Sequence, residues 1–584
     1  MPKRWMLVAP LLLSCAHLPA SGPPVAFRVS ATAPAAHAPL DGRLLLFFAK
    51  DGSSEPRDQL SDLDSTAQLF GQDVLALAPG QPITLDSSAF GYPLQRLPDL
   101  PPGDYFVQAV FHVYETFHRA DGHLVQLPAD RGEGQQWRTA PGNLFSAPKK
   151  VTIGAGLSLQ LVLDQVNPPL EEPKDTTYIK HVHFQSELLS KFWGRPVNLG
   201  AVVLLPEGFD THPNARYPLV VAHGHFERTR GGFRETPPDP ALPATDLAAL
   251  ARDCPNGHEK AACTRAGYER LQQQKAYEFY RQWTGPGFPR VIEVAIQHAN
   301  PYYDDSYAVN SANLGPYGDA ITYELIPYLE KRYRGLGPWA RGTYGGSTGG
   351  WEALAVQVLY PDQYNGAIGN CPDPIDFHHF QVVDLYANEN AYRSTGPFRS
   401  TARPGERDYL GQVRGTVEQA NHKELALGTH SRSGDQWDAW EAVYSPVGPD
   451  GYPRRVWDKE SGQIDRTVVD YWREHFDLGY LLERDWATLG PKLRGKLNIN
   501  VGRADNFFLN DAVYRVEELL ARLENPASEA KFDYGARDEH CWSGDHDHVN
   551  AISRLTYAQR LIPQLVKHWL ATAPPGADTT SWRY

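Results

Sequence analysis

Two grammars of apolar and polar positions divide the chain. From residue 25 to 166 short apolar runs, at 43–49, 104–113 and 157–164, are separated by Gly/Pro turns such as Pro101-Pro102-Gly103-Asp104. Alternation with closely spaced turn residues marks half-buried strands, and here it predicts an antiparallel all-β sandwich of about 140 residues. Aromatics within it (Tyr105, Phe106, Phe111, Tyr114) read as core packing. Asn167-Pro168-Pro169-Leu170-Glu171-Glu172-Pro173 is stiffened by proline, which makes 167–180 a linker. After it, strand-like runs at 181–188, 197–205, 217–222, 291–297, 364–369, 496–501 and 530–534 alternate with helix-like runs at 320–334, 351–359, 511–523 and 551–570. That rhythm predicts an α/β unit over 181–570 with a parallel sheet. Residues 371–490 interrupt it with many aromatics (Phe377, Phe380, Trp437, Trp440 among them). An insertion at that place reads as a cap or lid over the open end of the sheet. Residues 571–584 are left as a C-terminal tail.

At 584 residues the chain is long for a single core, so roughly two to four domain-sized pieces are expected. A net charge of -13 with no basic run argues against nucleic acid as a partner. Lys3 and Arg4 precede a short apolar stretch, Trp5 to Leu13, within the first 22 residues; this reads as a signal peptide and is too short to span a bilayer. It runs into Leu12-Leu13-Ser14-Cys15, which is similar to a lipobox, with Cys15 as the lipidated residue and cleavage near Ala20 as the alternative. The expectation is an exported protein of the cell envelope, the periplasm or the medium, touching a membrane only through a lipid anchor. Export makes disulfides tenable. Cys254 and Cys263 are close enough to close a small loop, while Cys371 and Cys541 either pair near the site or stay free.

The chemistry centres on Gly345-Gly346-Ser347-Thr348-Gly349, which fits the G-x-S-x-G elbow of a strand-to-helix turn, with a helix-like run at 320–334 before it and another at 351–359 after it. A serine that must stand clear of a sheet on a sharp turn needs glycines where backbone crowds or φ is positive. A serine nucleophile further needs a base, a carboxylate to orient that base, and donors for the oxyanion. Asp505 follows a strand after the elbow and His540 follows the next strand, the order Ser, Asp, His. Asp511 is the rival acid, but its place at a helix start suits an N-terminal partner. His546 and His548 are the alternative bases. The run from Asp538 to His548 also reads as a metal site, but His540 is accounted for as the base, so no metal or cofactor is assigned. For the oxyanion, the strand into His223-Gly224-His225 offers the amide of His225, or of Gly224, to act with that of Thr348. The His223 side chain reads as structural.

Val202 to Phe209 (VVLLPEGF), Arg216 to His225 (RYPLVVAHGH), Glu324 to Arg334 (ELIPYLEKRYR), Gly345 to Leu354 (GGSTGGWEAL) and Val501 to Asn506 (VGRADN) carry a resemblance to the α/β-hydrolases of the esterase D and enterochelin esterase group. The resemblance covers about two thirds of the chain and implies an eight-stranded α/β-hydrolase fold that hydrolyses esters without a metal. His540-Cys541 is similar to half of the pattern in tannases and fungal feruloyl esterases that ties the base loop to the residue before the nucleophile. Gly346 stands where that cysteine would be, so that bridge cannot form.

The expectation is an α/β-hydrolase with a long cap, preceded by an immunoglobulin-like accessory sandwich, that cleaves carboxylic esters through an acyl-enzyme. Its partner is an ester substrate, polymeric or aromatic. A serine peptidase or acyltransferase, or a non-catalytic binding protein on the same scaffold, are the other classes.

Overall fold

The computed structural model describes residues 26–32, 39–62, 65–86, 88–154, 156–257 and 260–584. Cys15 and the apolar leader lie outside them.

The N-terminal unit is two sheets packed face to face. The small one orders Ser158–Leu163, Ala26–Ala31 and Ile83–Thr84; the large one is built on Leu40–Ala49, Gln68–Leu77 and the 16-residue strand Gly103–His118. Phe27, Val29 and Leu161 from one sheet meet Leu46, Phe48, Phe70 and Val107 from the other. The sandwich departs from expectation in one pairing, because Ala26–Ala31 runs parallel to Ser158–Leu163. The first and last strands of the unit lie side by side, and a long intervening chain permits parallel pairing as a hairpin would not.

Leu40–Ala49 is buried on both faces over its last eight residues, which explains its unbroken apolar run. Its odd face, Leu45 and Phe47 with Leu69, Val110 and Trp137, packs against Ala426 and Leu427 of the insertion. The unit is therefore docked on the body that carries the site.

That body is an eight-stranded sheet, numbered here β1 (Ile179–Ser186), β2 (Val197–Leu204), β3 (Leu219–His223), β4 (Ile292–Gln297), β5 (Arg341–Gly346), β6 (Ala367–Asn370), β7 (Leu497–Gly502) and β8 (Lys531–Gly535). Their order is β1-β2-β4-β3-β5-β6-β7-β8. β1 and β2, and β2 and β4, pair antiparallel; every pair from β4 to β8 is parallel. All strands but β2 thus run the same way and end at one edge, and the loops following them gather there. β1 starts inside the segment read as linker, since Ile179 and Lys180 already pair with β2.

Helix α1 (Thr348–Leu359) is buried from Thr348 through Val358, so it is covered on every side and not two-faced. The insertion holds two small hairpins and helices α2 (Val417–Leu427), α3 (Gln436–Tyr444), α4 (Arg466–Phe476) and α5 (Leu478–Leu493). Its aromatics make one cluster, with Phe380 edge-on to Trp440 at 4.7 Å and Trp437 edge-on to Trp440 at 4.9 Å. Helix α6 (Leu509–Arg522) separates β7 from β8, and α7 (Tyr557–Thr572) closes the unit.

Three expectations are corrected. The helix placed at 320–334 begins at Tyr317 and contains a π-turn, Ala320–Leu325, before Ile326–Tyr333. The helix placed at 551–570 is broken, with Asn550–Ser553 and a 3₁₀ turn preceding α7. Residues 571–584 are no free tail: Trp582 is buried, and the Tyr584 ring stacks on His212 at 3.5 Å while its hydroxyl reaches the Glu207 carbonyl at 2.9 Å. Aromatic residues at the end supply the apolar area that holds it.

Candidate active site

Ser347, Asp505 and His540 each follow a strand at the edge where the parallel strands end. Ser347 follows β5, and its backbone adopts φ 58° and ψ -124°, a costly conformation for a residue with a Cβ. The turn is held by the Ser347 amide donating to the Asn370 carbonyl at 3.0 Å. Glycine is required around it: a Cβ on Gly349 would overlap the His223 carbonyl, and one on Gly345 would overlap the Gly349 carbonyl. The close approach of β3, β5 and α1 is what the glycines permit.

His540, after β8, places Nε2 2.9 Å from Ser347 Oγ and Nδ1 2.9 Å from Asp505 Oδ2. Asp505, after β7, is fully buried, and its other oxygen accepts from the amides of Phe507 at 2.9 Å and Leu509 at 3.3 Å. The His540 amide donates to Asn506 Oδ1 at 2.9 Å, and Phe507 packs edge-on to the imidazole. Three side chains far apart in sequence therefore form one continuous line of hydrogen bonds. Burial works against a charged imidazole, but Cys541 and the Asp505 carboxylate beside it outweigh burial. The ring titrates well above the ordinary histidine range.

The rivals go elsewhere. Asp511 sits in the first turn of α6, where Asn510 Nδ2 donates to it at 2.8 Å. His546 pairs with Asp533 at 3.0 Å and His548 with Asp545 at 3.1 Å. Neither histidine bonds to Ser347, and each is held by a separate carboxylate.

Of the oxyanion candidates, the amides of Thr348 and His225 have no main-chain acceptor among the described residues. His225 lines the cavity over Ser347, whereas Gly224 lines only the adjoining cleft. His223 is buried with its ring 3.4 Å from Glu352, and burial lowers it to about 3.

Cys254 and Cys263 are bridged. Cys371 and Cys541 are not bridged, yet their sulfurs and a ring nitrogen of His540 lie within 4.8 Å of one another. Cys371, after β6, is also 3.3 Å from the Ser347 amide. The sulfur beside Cys541 thus comes from the end of β6, not from the position before the serine.

Sequence reasoning missed Asp373. Its Oδ1 is 3.4 Å from Ser347 Oγ, and its Oδ2 accepts from Tyr307 Oη at 2.7 Å, Gln436 Nε2 at 3.2 Å and Trp440 Nε1 at 3.3 Å. Burial pushes this carboxyl up. Its place three residues beyond β6, on the same edge as the others, was the available signal.

Over Ser347 lies a cavity of about 540 Å³. The insertion supplies Gln436, Trp437 and Trp440 to its wall, and the N-terminal unit supplies Tyr92 and Gln136. A nucleophile-sized hydroxyl, an imidazole bonded to it and amides without acceptors, under a part-apolar roof, are what acyl transfer requires.

No family model matches the chain, and no curated protein matches it. Among solved structures, the chain is similar to a ferulic acid esterase at 14% identity over 67% of this chain and 98% of that one, with a TM-score of 0.34. An S-formylglutathione hydrolase from Agrobacterium tumefaciens is 13% identical over 68% and 97%, with a TM-score of 0.29. A fluorophosphonate-binding serine hydrolase from Staphylococcus aureus is 14% identical over 67% and 98%, with a TM-score of 0.31.

Proposed function

We propose that the chain is an α/β-hydrolase that cleaves carboxylic esters through a serine acyl-enzyme. The observation that carries this reading is the pair of 2.9 Å contacts joining Ser347 Oγ to His540 and His540 to Asp505. In this reading Ser347 attacks the ester carbonyl as His540 Nε2 takes its proton. Asp505 holds the ring so that Nδ1 keeps its hydrogen and Nε2 can accept. The amides of Thr348 and His225 take the oxyanion, and His540 returns the proton to the departing alkoxide. Water then attacks the acyl-serine by the same relay. The aromatic wall from the insertion supports binding of an apolar or aromatic acyl group. Export with lipid attachment at Cys15 is part of the proposal, and radiolabelled palmitate incorporation that is lost in Cys15→Ser is its test.

The reaction class is tested by comparing p-nitrophenyl esters with peptide p-nitroanilides. Ester hydrolysis is expected, with a loss of at least about 10³-fold in Ser347→Ala. Cleavage of anilides without esters would make the protein a peptidase. Ester hydrolysis undiminished in Ser347→Ala would remove the proposal.

A further inference from the structure

We infer that His225, Asp304 and Asp305 form a binding site for a divalent transition-metal cation at the wall of the cavity, beside the groups that would react. The site goes beyond ester hydrolysis and does not depend on it.

The loop after β4 carries the two aspartates to the edge where His225 follows β3. His225 Nδ1 lies 3.1 Å from Asp304 Oδ2 and 3.9 Å from Asp305 Oδ2. A tetrahedral ion with bonds of about 2.0–2.2 Å separates its ligand atoms by roughly 3.3–3.6 Å, so the observed spacings bracket what such an ion needs. One imidazole and two carboxylates suit zinc or a neighbouring metal, and are too few oxygens for calcium.

An ordinary ion pair between His225 and Asp304 would explain that contact alone. It does not explain Asp305, which is fully buried and whose Oδ2 has no hydrogen-bond partner. Its other oxygen is committed, accepting the Tyr307 amide at 2.9 Å. The free oxygen faces His225, where a cation would give it a partner.

The local charge is also unbalanced. Glu352 and Asp373 stand near the same imidazole. The other two histidines touching Glu352, His223 and His298, are held neutral by burial. No Lys or Arg ion pair reaches Asp304, Asp305, Glu352 or Asp373 among the described residues.

The ligands are held in advance, as metal sites require. Asn300 Nδ2 donates to the Asp305 carbonyl at 2.5 Å, and Asn300 Oδ1 accepts the Tyr302 amide at 2.9 Å. The His225 side chain is 52% exposed, so an ion can enter from the cavity and keep a water in its remaining position.

The test titrates Zn²⁺ into the full chain after EDTA treatment and dialysis, followed by calorimetry, metal analysis after gel filtration, and thermal melting. One equivalent is expected, with a raised melting temperature. Binding should weaken at least tenfold in Asp305→Asn and in His225→Ala, and remain in the double variant His546→Ala/His548→Ala. Circular dichroism establishes that each variant is folded, and Asp304→Asn replaces any that is not. No stoichiometric binding, or binding unchanged by the site variants and lost with His546 and His548, would overturn the inference. Because the readout is binding, a failure here leaves ester hydrolysis untouched, and a failure of ester hydrolysis leaves this site untouched.

Discussion

At the scale of single residues, the distinction that matters is between histidines that look alike in sequence. His540, His546 and His548 fall within nine positions, but only His540 bridges Ser347 and Asp505. We expect His540→Ala to lower kcat/KM on a p-nitrophenyl ester by at least about 10³-fold, while His546→Ala and His548→Ala stay within about threefold of the parent; loss of activity in either of the latter would reassign the base. The charge environment of His540 sets a second expectation. A general base accepts a proton only when neutral, so activity is low below its pKa and rises as pH climbs through it. With the imidazole raised by Cys541 and Asp505, the rising limb of the kcat/KM profile belongs above 6.5. Cys541→Ala should move that limb toward lower pH, and an unmoved limb would show that Cys541 does not set the proton affinity. Ser347, Asp505 and His540 were legible because each follows a recognisable strand. Asp373 was not, since a contact across neighbouring strand ends leaves no trace in local spacing; the approach of Cys371 to Cys541 was one of the two readings left open.

At the scale of elements, the elbow shows why so few residue types are tolerated. Ser347 holds a positive φ because β3, β5 and α1 converge on it, and Gly349 sits where the His223 carbonyl occupies the space of a side chain. Gly349→Ala must push β3 from α1, and we expect it to cost about 3 kcal/mol or to prevent folding; urea unfolding measures it. A neutral effect would mean that the contact relaxes freely. The strands of the parallel sheet could be read from apolar runs bounded by turns. The π-turn at Ala320–Leu325 and the break before α7 could not, because hydrophobic period does not distinguish one extra residue in a turn from a regular helix. The parallel neighbour of Ala26–Ala31 was also hidden, as strand partners across the length of a unit have no local signal.

At the scale of the whole molecule, the N-terminal unit is part of the site's architecture. Arg43, buried in its large sheet, donates to the carbonyls of Leu425 at 2.9 Å and Ala426 at 3.0 Å, and pairs with Asp73 at 2.8 Å. Arg432 of the insertion reaches the same Asp73 at 2.9 Å. Breaking a buried charge network is costly, so Arg43→Ala should lower stability by about 3 kcal/mol and raise KM, because Tyr92 and Gln136 would lose their place on the cavity wall. Unfolding followed by tryptophan fluorescence, with the kinetics of the same variant, measures both. Unchanged stability and KM would return the unit to an independent accessory. The general division into a β unit, a linker and an α/β body was legible from the change in periodicity. The docking was not, although the unbroken apolar run Leu44–Ala49 hinted that both faces of that strand are covered.

In the proposed mechanism the Ser347 hydroxyl is made nucleophilic by His540. This is tested most directly by reacting the protein with a fluorophosphonate and locating the adduct by peptide mass spectrometry. A single adduct on Ser347 is expected, slowed by at least about 10³-fold in His540→Ala. An adduct on another residue, or labelling of Ser347 at the same rate without the imidazole, would contradict it.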